Sequence, residues 1–580
     1  MSSTSLLDTP DEMSMFANSV HPSFLSDNAN RNLLFTPAAL QEKMNRLTRE
    51  GQRGPAVAGS MVAFAFTLNY IFGAGVLSLP YTISKAGVIG SAVFMIFTAF
   101  LSGMSMIWLT EVCGRAEALT RADEEEKLSE DSTYLNYIAD RPENSGASLF
   151  RISSRRLEIN QISTLILGAW PGRIYSASVC FYSLGSMWFY AVIFGRSLTE
   201  TLPLSFLVKK GDHCDLSIPL HMTSSACHQT YTVYLGVFLA LTMFASLFEL
   251  ADQKKLQTGL SGLAMTCIFI MITSLIVEAV QHPYVPSSHN SSLSSSLSSS
   301  LSSPLSSSLS SSLQSSSHLQ TQLNGEYQPP VIGISIANFG GAFMNFVFAF
   351  MAHAGVPGLV QLMNDKKAAP KTFLGAMLTA CLIYLCLGTI AALYFGVGPD
   401  GIKSLITLDW YNYNGSANPG SAGDIFTKGL SYLVRLYPCV SVTSAFVLYA
   451  DTLASSMRVL FFENPDRQII KVLGRWIIIW LSIAGAAFMI KIDVIVGVCG
   501  LAGVNLVMIF PALLQIYSKQ ICNEKFHRSF TPFSWHFSAN VYAYFMLFFS
   551  VVTSGLGVYS LVKTIRDSSG SGSLAPAPSF

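Results

Sequence analysis

Long apolar runs separated by short polar segments dominate this sequence. A run of about 20 apolar residues is long enough for a helix to cross the hydrocarbon core of a bilayer. The pattern therefore predicts an all-α polytopic membrane protein with about eleven transmembrane helices. The predicted spans cover residues 56–80, 87–110, 173–197, 231–249, 257–280, 331–361, 372–396, 428–458, 472–490, 494–518 and 538–562.

The first predicted span contains residues that an uninterrupted helix does not favour. Gly73 and Gly75 lie one residue apart and Pro80 follows five residues later, and both residue types weaken a helix. Non-helical backbone at membrane depth is tolerated only inside protein or beside a water-filled cavity. The motif alone predicts either a broken helix that forms a binding site or a glycine-rich packing face for a neighbouring helix.

The sixth predicted span repeats this pattern. Gly340 and Gly341 are followed by His353, Gly355 and Pro357, which predicts a second broken helix. Interrupted spans at matching positions of two halves are typical of secondary transporters. Spans one and six are the first spans of their repeats if the chain forms two five-span repeats of opposite orientation, followed by one additional helix. The pattern therefore predicts the leucine-transporter-type 5+5 inverted repeat.

Polar residues inside these spans are candidates for chemistry. His353 is an ionisable residue near the middle of a predicted break. It either serves substrate gating or proton linkage or is a neutral histidine bonded to a backbone carbonyl. Hydroxyls of Ser441, Thr443 and Ser444 in the eighth span either complete an oxygen cage for a hard cation or bond back to their own helix. Aromatic residues of the third span either wall a pocket or pack: Phe181, Tyr182, Trp188, Phe189 and Tyr190.

Composition excludes several classes of function. The 580 residues are 51% hydrophobic and 12% charged, whereas soluble domains carry about 25% charge. The net charge of the chain is +1. The sequence has no basic domain that would suggest nucleic-acid binding. No phosphate-binding loop and no nucleophile–base pair is present, so neither an ATP-driven pump nor an enzyme is expected. The ten cysteines lack metal-ligand spacing, so no metal or other cofactor is predicted.

The distribution of charge predicts the orientation of the chain. With the N-terminus in the cytoplasm, 25 of the 35 Lys and Arg residues lie inside, as the positive-inside rule requires. The glycosylation sequons at Asn290 and Asn414 then fall in external loops. Cys214 and Cys227 share another external loop, where they either form a disulfide or remain two free thiols.

The same pattern divides the chain into segments. A serine-rich insert has little to pack and is predicted to be disordered. The predicted segments are a disordered cytoplasmic tail (1–55), a first repeat (56–280, with a cytoplasmic loop at 111–172 and an external loop at 198–230), an external serine-rich loop (281–330), a second repeat (331–518), a cytoplasmic loop with the last span (519–563) and a disordered tail (564–580).

Three motifs, in order, resemble one family. Residues 68–81, with Ala86-Gly87 following, resemble the opening of the amino acid/auxin permease family, which belongs to the amino acid, polyamine and organocation superfamily. Residues 348–353 resemble the break in its sixth span, and residues 497–514 are similar to its tenth span. The resemblance extends over about residues 56–563 and excludes the serine-rich insert.

The resemblance implies secondary active amino acid transport by alternating access, with sodium or protons as the coupling ion. It implies ion-binding roles for Asn69 and Thr443, with Ser444 beside them. Ala74 departs from the Ser or Thr of many relatives, and Tyr437-Pro438 interrupts the eighth span. The implied substrate-binding residues are Phe72, Gly73, Ala74, Gly75, Val76, Phe348, Ala349 and His353.

The predicted substrates are small or neutral amino acids, because no pocket carboxylate is evident for a cationic side chain. The alternative function is a non-transporting amino acid sensor that uses the same fold, while a channel is disfavoured because paired breaks suit occlusion. The expected partners are an amino acid and the lipid bilayer. The expected location is the plasma membrane or a lysosome- or vacuole-like organelle.

Overall fold

Helices form nearly all of the computed structural model, which describes residues 59–73, 75–129, 150–152, 159–204, 214, 216, 225–247, 254–281, 331–397, 401–413, 422–461, 468–488 and 492–570. All of these residues belong to one unit comprising residues 56–152 and 156–580. The α-helices of the described residues are α1 (Ser60–Phe72), α2 (Gly75–Ala86), α3 (Val88–Ser129), α4 (Ile159–Leu167), α5 (Ala169–Thr201), α6 (Ser225–Ala245), α7 (Lys254–Gln281), α8 (Ile336–Ala349), α9 (Val356–Leu362), α10 (Ala369–Phe395), α11 (Ala422–Phe461), α12 (Gln468–Phe488), α13 (Ile492–Val504), α14 (Phe510–Phe526) and α15 (Asn540–Gly570).

Most of these helices are suited to a bilayer. Within the described part of the chain, eight helical segments are long and apolar enough to cross a membrane, and the bent pair of α1 and α2 raises the number to nine. The helices over the fourth and ninth predicted spans, α6 and α12, lie outside that set. The all-α polytopic membrane fold is therefore confirmed, whereas the count of eleven spans and the inverted repeat stay predictions.

Both predicted interruptions are present. The first span bends by 49° between α1 and α2, at the glycine pair. The sixth span leaves helical geometry at Phe350–Ala352, passes through a 3-10 turn at His353–Gly355 and resumes as α9. Glycine allows the first break because it gains least from helical backbone, and a short 3-10 segment inside a helix marks the second.

The prolines of the two motifs have a role other than the predicted one. Pro80 lies inside α2 and does not end it, so the glycines alone interrupt the first span. Pro357 lies in the first turn of α9, where its missing N–H removes no hydrogen bond and its fixed φ favours helix initiation. The interpretation of Pro80 as part of the break is therefore wrong, and Pro357 starts a helix.

Backbone hydrogen bonds join the turn between α2 and α3 to the segment that precedes α8. The N–H groups of Val88, Ile89 and Gly90 begin α3 and have no partner within it, and they donate to the carbonyls of residues 331–333 at 2.9, 3.0 and 3.3 Å. Ser335 N–H returns a bond of 2.8 Å to the Ala86 carbonyl. The distant ends of spans one and six are thus held together.

Gly87 in this turn is expected to accept no side chain. Its φ is +103°, and an added Cβ would overlap the carbonyl oxygen of Gly333. Gly87→Ala should cost about 1–3 kcal/mol through the backbone conformation alone. We expect a clear loss of thermal stability in detergent, while Gly236→Ala, whose new methyl group would meet nothing within 4 Å, should unfold at the wild-type temperature. Equal stability of the two variants would contradict the described turn.

A buried ion pair lies in the second half of α3, and hydrogen bonds connect it to α14. Glu111 and Arg115 are both 0% exposed, and an Nη2–Oε2 distance of 2.6 Å joins them. The Arg115 guanidinium also donates to Gln515 at 2.8 Å and to the Ser529 carbonyl at 2.9 Å, and the Ser538 hydroxyl donates to Glu111. These bonds attach the segment between α14 and α15 to both helices.

This network corrects one predicted boundary. The segment 111–172 was expected to be a solvated loop, but α3 continues to Ser129 and α4 covers Ile159–Leu167. The apolar run ends near residue 110, yet the helix persists because the following charges are paired inside the protein. At the C-terminal end, α15 likewise extends to Gly570, beyond the predicted start of the tail at residue 564.

A disulfide closes part of the segment between α5 and α6. Cys214 and Cys227 are bonded, with a Cα–Cα distance of 5.6 Å, so the structure contains the disulfide and not the two free thiols. Leu216 N–H donates to the Glu200 carboxylate at 3.3 Å, and Glu200 also pairs with Arg196 at 3.2 Å. The disulfide-linked segment is therefore fixed to the end of α5.

Candidate substrate site

The two interruptions lie among the same helices. On one side α5 packs along α11, and on the other α10 packs against α1, α2 and α3. α2 and α8 are in direct contact through Ser78, which donates to the Asn345 side-chain oxygen at 3.1 Å, and through the Asn345 amide, which donates to Thr82. The halves of spans one and six that follow and precede the breaks are thus hydrogen-bonded to each other.

Hydroxyl groups from other helices satisfy carbonyls that the breaks leave free. Tyr384 of α10 donates to the Ile71 carbonyl at 2.7 Å. At the second break, Ser102 of α3 donates to the Phe350 carbonyl at 2.9 Å, and Tyr182 of α5 donates to the Phe348 carbonyl at 3.4 Å. An unpaired carbonyl in a dry interior costs several kcal/mol, so these hydroxyls make the interruptions tolerable.

Two glycines of the first break are necessary because tyrosines come close to the backbone. An added Cβ at Gly73 would lie 2.8 Å from the Tyr190 hydroxyl, and one at Gly75 would lie 2.8 Å from the Ala349 Cβ and 2.6 Å from the Tyr384 ring. Such distances are shorter than real contacts of a methyl group. A side chain at Gly75 would overlap Ala349 as well as Tyr384, whereas one at Gly73 would require the Tyr190 hydroxyl to move.

The remaining predicted substrate residues are placed as follows. Phe72 and Val76 are buried, and the Phe72 ring lies 5.9 Å from that of Tyr384. Phe348 and Ala349 are also buried and close the site from the α8 side. Ala74, between the two glycines, lies outside the described residues. The structure thus brings the described residues of the two predicted motifs together, with His353 as the exception.

An aromatic cluster adjoins the break. Tyr182 and Tyr190 of α5 lie 6.1 and 5.8 Å from Tyr449 of α11, measured between ring centroids, and Tyr449 lies 5.9 Å from Tyr70 of α1. Phe189 packs edge-on against Phe348 at 5.3 Å. Three of the five aromatic residues predicted for the third span therefore face the site.

The other two aromatic residues of that span have different surroundings. Phe181 is 54% exposed on the face of α5 that points away from the cluster, and Trp188 packs against Gly485 of α12. Sequence reasoning did not single out Tyr384, Tyr449 or Ser102. Each of them carries a hydroxyl group inside an apolar span, and this was the one sequence feature that could have indicated a role at the breaks.

The predicted ion-binding residues contact one another in part. The Asn69 side-chain amide donates to the Ser444 hydroxyl at 3.2 Å. The Thr443 hydroxyl donates to the Cys439 carbonyl of its own helix at 2.6 Å, which is the alternative interpretation for this residue, although its oxygen still carries lone pairs. The structure therefore pairs Asn69 with Ser444 and turns the Thr443 proton toward its own helix.

His353 faces α3. It is 0% exposed, and its Nε2 lies 2.6 Å from the Ser105 hydroxyl and 3.3 Å from the Ser102 carbonyl. The Ser105 hydroxyl also lies 2.9 Å from the Ser102 carbonyl, and which of the two groups donates between Ser105 and Nε2 depends on the histidine tautomer. These contacts match the alternative of a neutral histidine held by backbone and hydroxyl, and none of the described contacts joins His353 to the first break.

The two predicted glycosylation sites, Asn290 and Asn414, lie outside the described residues. So do the tail at 1–55 and the serine-rich segment at 282–330. No group of three or more metal-ligating side chains suited to an ion occurs within the described part of the chain.

Comparison with known proteins identifies the family of this fold. The family model described as "Transmembrane amino acid transporter protein" matches residues 57–563, which is nearly the whole predicted range. The chain belongs to this family. The resemblance stated from the motifs is thereby confirmed, and the family is one of transporters and not of enzymes.

Several proteins that are similar to this chain share a name. A "Transmembrane protein 104 homolog" of Dictyostelium discoideum is 22% identical over 559 residues, covering 87% of this chain and 97% of that protein. A homolog of Caenorhabditis elegans is 21% identical and covers 69% of this chain and 68% of its own length. "Transmembrane protein 104" of Mus musculus is 21% identical and covers 70% and 75%. The family match over residues 57–563 includes both interrupted spans.

Proposed function

We propose that this chain is a secondary active transporter of small or neutral amino acids, coupled to sodium or protons and working by alternating access. The observation that supports this most is the pair of interrupted spans, whose free carbonyls are satisfied by hydroxyls of α3, α5 and α10. These bonds are exchangeable, because an ammonium group can replace a tyrosine hydroxyl at a carbonyl. Membership of an amino acid transporter family supports the same conclusion.

The main-chain groups of an amino acid fit the chemistry of the first break. The N-terminus of α2 begins at Gly75, and its unpaired N–H groups and positive dipole end attract a carboxylate. Carbonyls at the end of α1, including that of Ile71, attract an ammonium group. We expect the substrate to take the place that the Tyr384 and Tyr190 hydroxyls occupy beside Gly75 and Gly73.

The walls of the break favour a neutral side chain. They consist of tyrosines, phenylalanines and small residues, and the Tyr182 ring contacts those of both Phe348 and Tyr449. A cationic or anionic side chain would lose its hydration there without gaining a partner of opposite charge. The proposed substrates are therefore small or neutral amino acids.

The bonds between α2 and α8 support the proposal of alternating access. α2 and α8 are connected by the Ser78–Asn345–Thr82 hydrogen bonds and by the backbone bonds of residues 331–335. We expect them to move as one body against α5 and α11. The breaks then serve as hinges, since a few residues at the ends of helices absorb such a change.

The proposed sodium site contains Asn69 and Ser444. Asn69→Ala together with Ser444→Ala removes two oxygen ligands, so the sodium concentration for half-maximal uptake should rise about tenfold or sodium dependence should vanish. A matched control is Ser482→Ala, a buried serine of α12 bonded to its own helix at 2.9 Å, which should leave the sodium curve unchanged. Wild-type uptake that is indifferent to sodium would exclude this site and leave protons as the coupling ion.

Uptake into proteoliposomes tests the proposal. A mixed pool of labelled amino acids is offered with an inward sodium gradient, an inward proton gradient or neither. Uptake that one gradient drives would support transport and name the ion. An absence of uptake, with thermal stabilisation of the same preparation by amino acids, would favour the sensor.

A further inference from the structure

A cavity lies beside the first break, and none of the tyrosines that contact the break lines it. It has a volume of about 410 Å³ and is lined by residues of α2, α8, α13 and α15, and we call it the α2–α15 cavity. Its volume falls in the range of small-molecule sites. Ser78, one of its lining residues, is three positions after Gly75 on α2, so the deep end lies about one helical turn from the first break.

The deep end of the α2–α15 cavity is polar. Ser78, Thr82 and Asn345 line it and bond to each other. Hydroxyl and amide side chains can both donate and accept hydrogen bonds. A ligand bound there would meet both donors and acceptors next to the junction of spans one and six.

Opposite charges line the same cavity. Lys85, at the end of α2, has its ammonium group over the Tyr81 ring, 4.1 Å from the centroid, and donates to the Tyr81 hydroxyl. Asp493, in the first turn of α13, lines the cavity too and interacts electrostatically with Lys85 and Arg196. Within the described residues, neither Lys85 nor Asp493 takes part in an ion pair within 4 Å.

A cation and an anion that share a cavity without direct pairing are suited to a ligand that carries both charges. A free α-amino acid is such a ligand, because its carboxylate and its ammonium group are attached to the same carbon atom. Charged hydrogen bonds to both ends would exceed neutral ones in strength. A purely anionic or cationic ligand would meet one like charge.

We propose that the α2–α15 cavity binds a free amino acid in its zwitterionic form, with the carboxylate at Lys85 and the ammonium group at Asp493, before the amino acid reaches the interrupted spans. This inference rests on the proposed function for the identity of the ligand. It adds a second binding site to the one formed by the breaks. Ser560 of α15 lines the cavity and provides a position at which occupancy can be measured.

The test is protection of an introduced cysteine in the full-length chain. Ser560→Cys is reacted with a membrane-impermeant methanethiosulfonate, with or without a mixture of neutral L-amino acids, and the parent chain gives the background from native cysteines. We expect the amino acids to slow the reaction severalfold. The matched control is Tyr559→Cys, which neighbours Ser560 but is 70% exposed and does not line the cavity, and its reaction should not slow.

Ligand truncation identifies the role of Lys85. In a Lys85→Met background, the amino acid concentration for half-maximal protection should rise about tenfold, whereas protection by the primary amides of the same amino acids, which lack the carboxylate, should not change. Lys85→Arg should retain protection by the acids. Wild-type thermal stability of Lys85→Met would show that the exposed side chain has no structural role.

The outcomes separate this inference from the proposed function. Uptake without protection at residue 560, or protection that Lys85→Met leaves unchanged, would overturn the inference while transport stands. Protection that depends on Lys85 without any uptake would support the site and contradict the transport proposal. Equal protection of Cys at 559 and 560 would also overturn the inference, since it would report a global change.

Discussion

Replacing Arg115 with methionine is expected to destabilise the folded chain by about 3–5 kcal/mol. The substitution leaves the Glu111 carboxylate fully buried without its cation. It also removes the guanidinium that donates to the Gln515 side-chain oxygen and to the Ser529 carbonyl. A buried charge that loses its partner keeps the full cost of leaving water. Thermal unfolding of purified protein, or the fraction that remains monodisperse after heating, measures the effect.

A double variant separates charge from packing. Glu111→Gln with Arg115→Met removes both charges, so it should recover a substantial part of the stability that Arg115→Met alone loses. Lys428 provides a control, since its ion pair with Asp424 at 2.8 Å is exposed on the lysine side, and Lys428→Met should change stability by less than about 1 kcal/mol. Wild-type stability of Arg115→Met would contradict the buried network.

The second large effect is expected at the first break. Gly75→Ala should lower the maximal uptake rate at least about tenfold, because the new methyl group would overlap the Tyr384 ring and Ala349 in a close-packed interior. Either Tyr384 must leave the Ile71 carbonyl or α8 must move away from α2. Both changes alter the site that the substrate is proposed to occupy.

A glycine on the facing helix is the matched control for this variant. At Gly375 of α10 an added Cβ would lie 3.8 Å from Phe64, an ordinary contact, so Gly375→Ala should transport at the wild-type rate. Surface expression and monodispersity of both variants must match the wild type for the comparison to hold. Normal uptake by Gly75→Ala would refute the break as the substrate site.

The positions of the breaks could be predicted because their causes are local. Gly73, Gly75 and Gly355 weaken a helix wherever they occur. Pro80 shows the limit of this reasoning, since α2 continues through it. Pro80 is the sixth residue of α2, where a proline already lacks the N–H for a bond to the carbonyl four residues earlier, so a proline in an apolar run does not by itself end a helix.

The groups that stabilise the breaks could not be predicted in the same way. Tyr384 bonds to Ile71 across 313 residues, and Ser102 bonds to Phe350 across 248 residues. Hydroxyl-bearing residues occur in many apolar spans, and only tertiary packing decides which of them meets a free carbonyl. Tertiary packing also decides which hydroxyl contacts Asn69. Ser444 and Thr443 are adjacent in sequence and about 100° apart around the helix, and Ser444 is the one that contacts Asn69.

The buried network at the far end of α3 was not anticipated for a related reason. Glu111 and Arg115 stand at positions i and i+4 after an apolar run, a spacing that also suits a solvated helix face. Burial depends on α14 and on the segment that contains Ser538. A charge pair near a membrane boundary therefore does not reveal from sequence alone whether it faces water.

Counterflow in proteoliposomes tests the central claim most directly, because it requires transport but no ion gradient. Vesicles containing the wild-type chain are preloaded with a mixture of unlabelled neutral L-amino acids, with equal sodium and pH on both sides, and labelled amino acids are added outside. Transient accumulation of label in these vesicles, and its absence in vesicles without protein, is the predicted result. No accumulation, although the same amino acids raise the unfolding temperature of the protein, would contradict transport and favour a sensor.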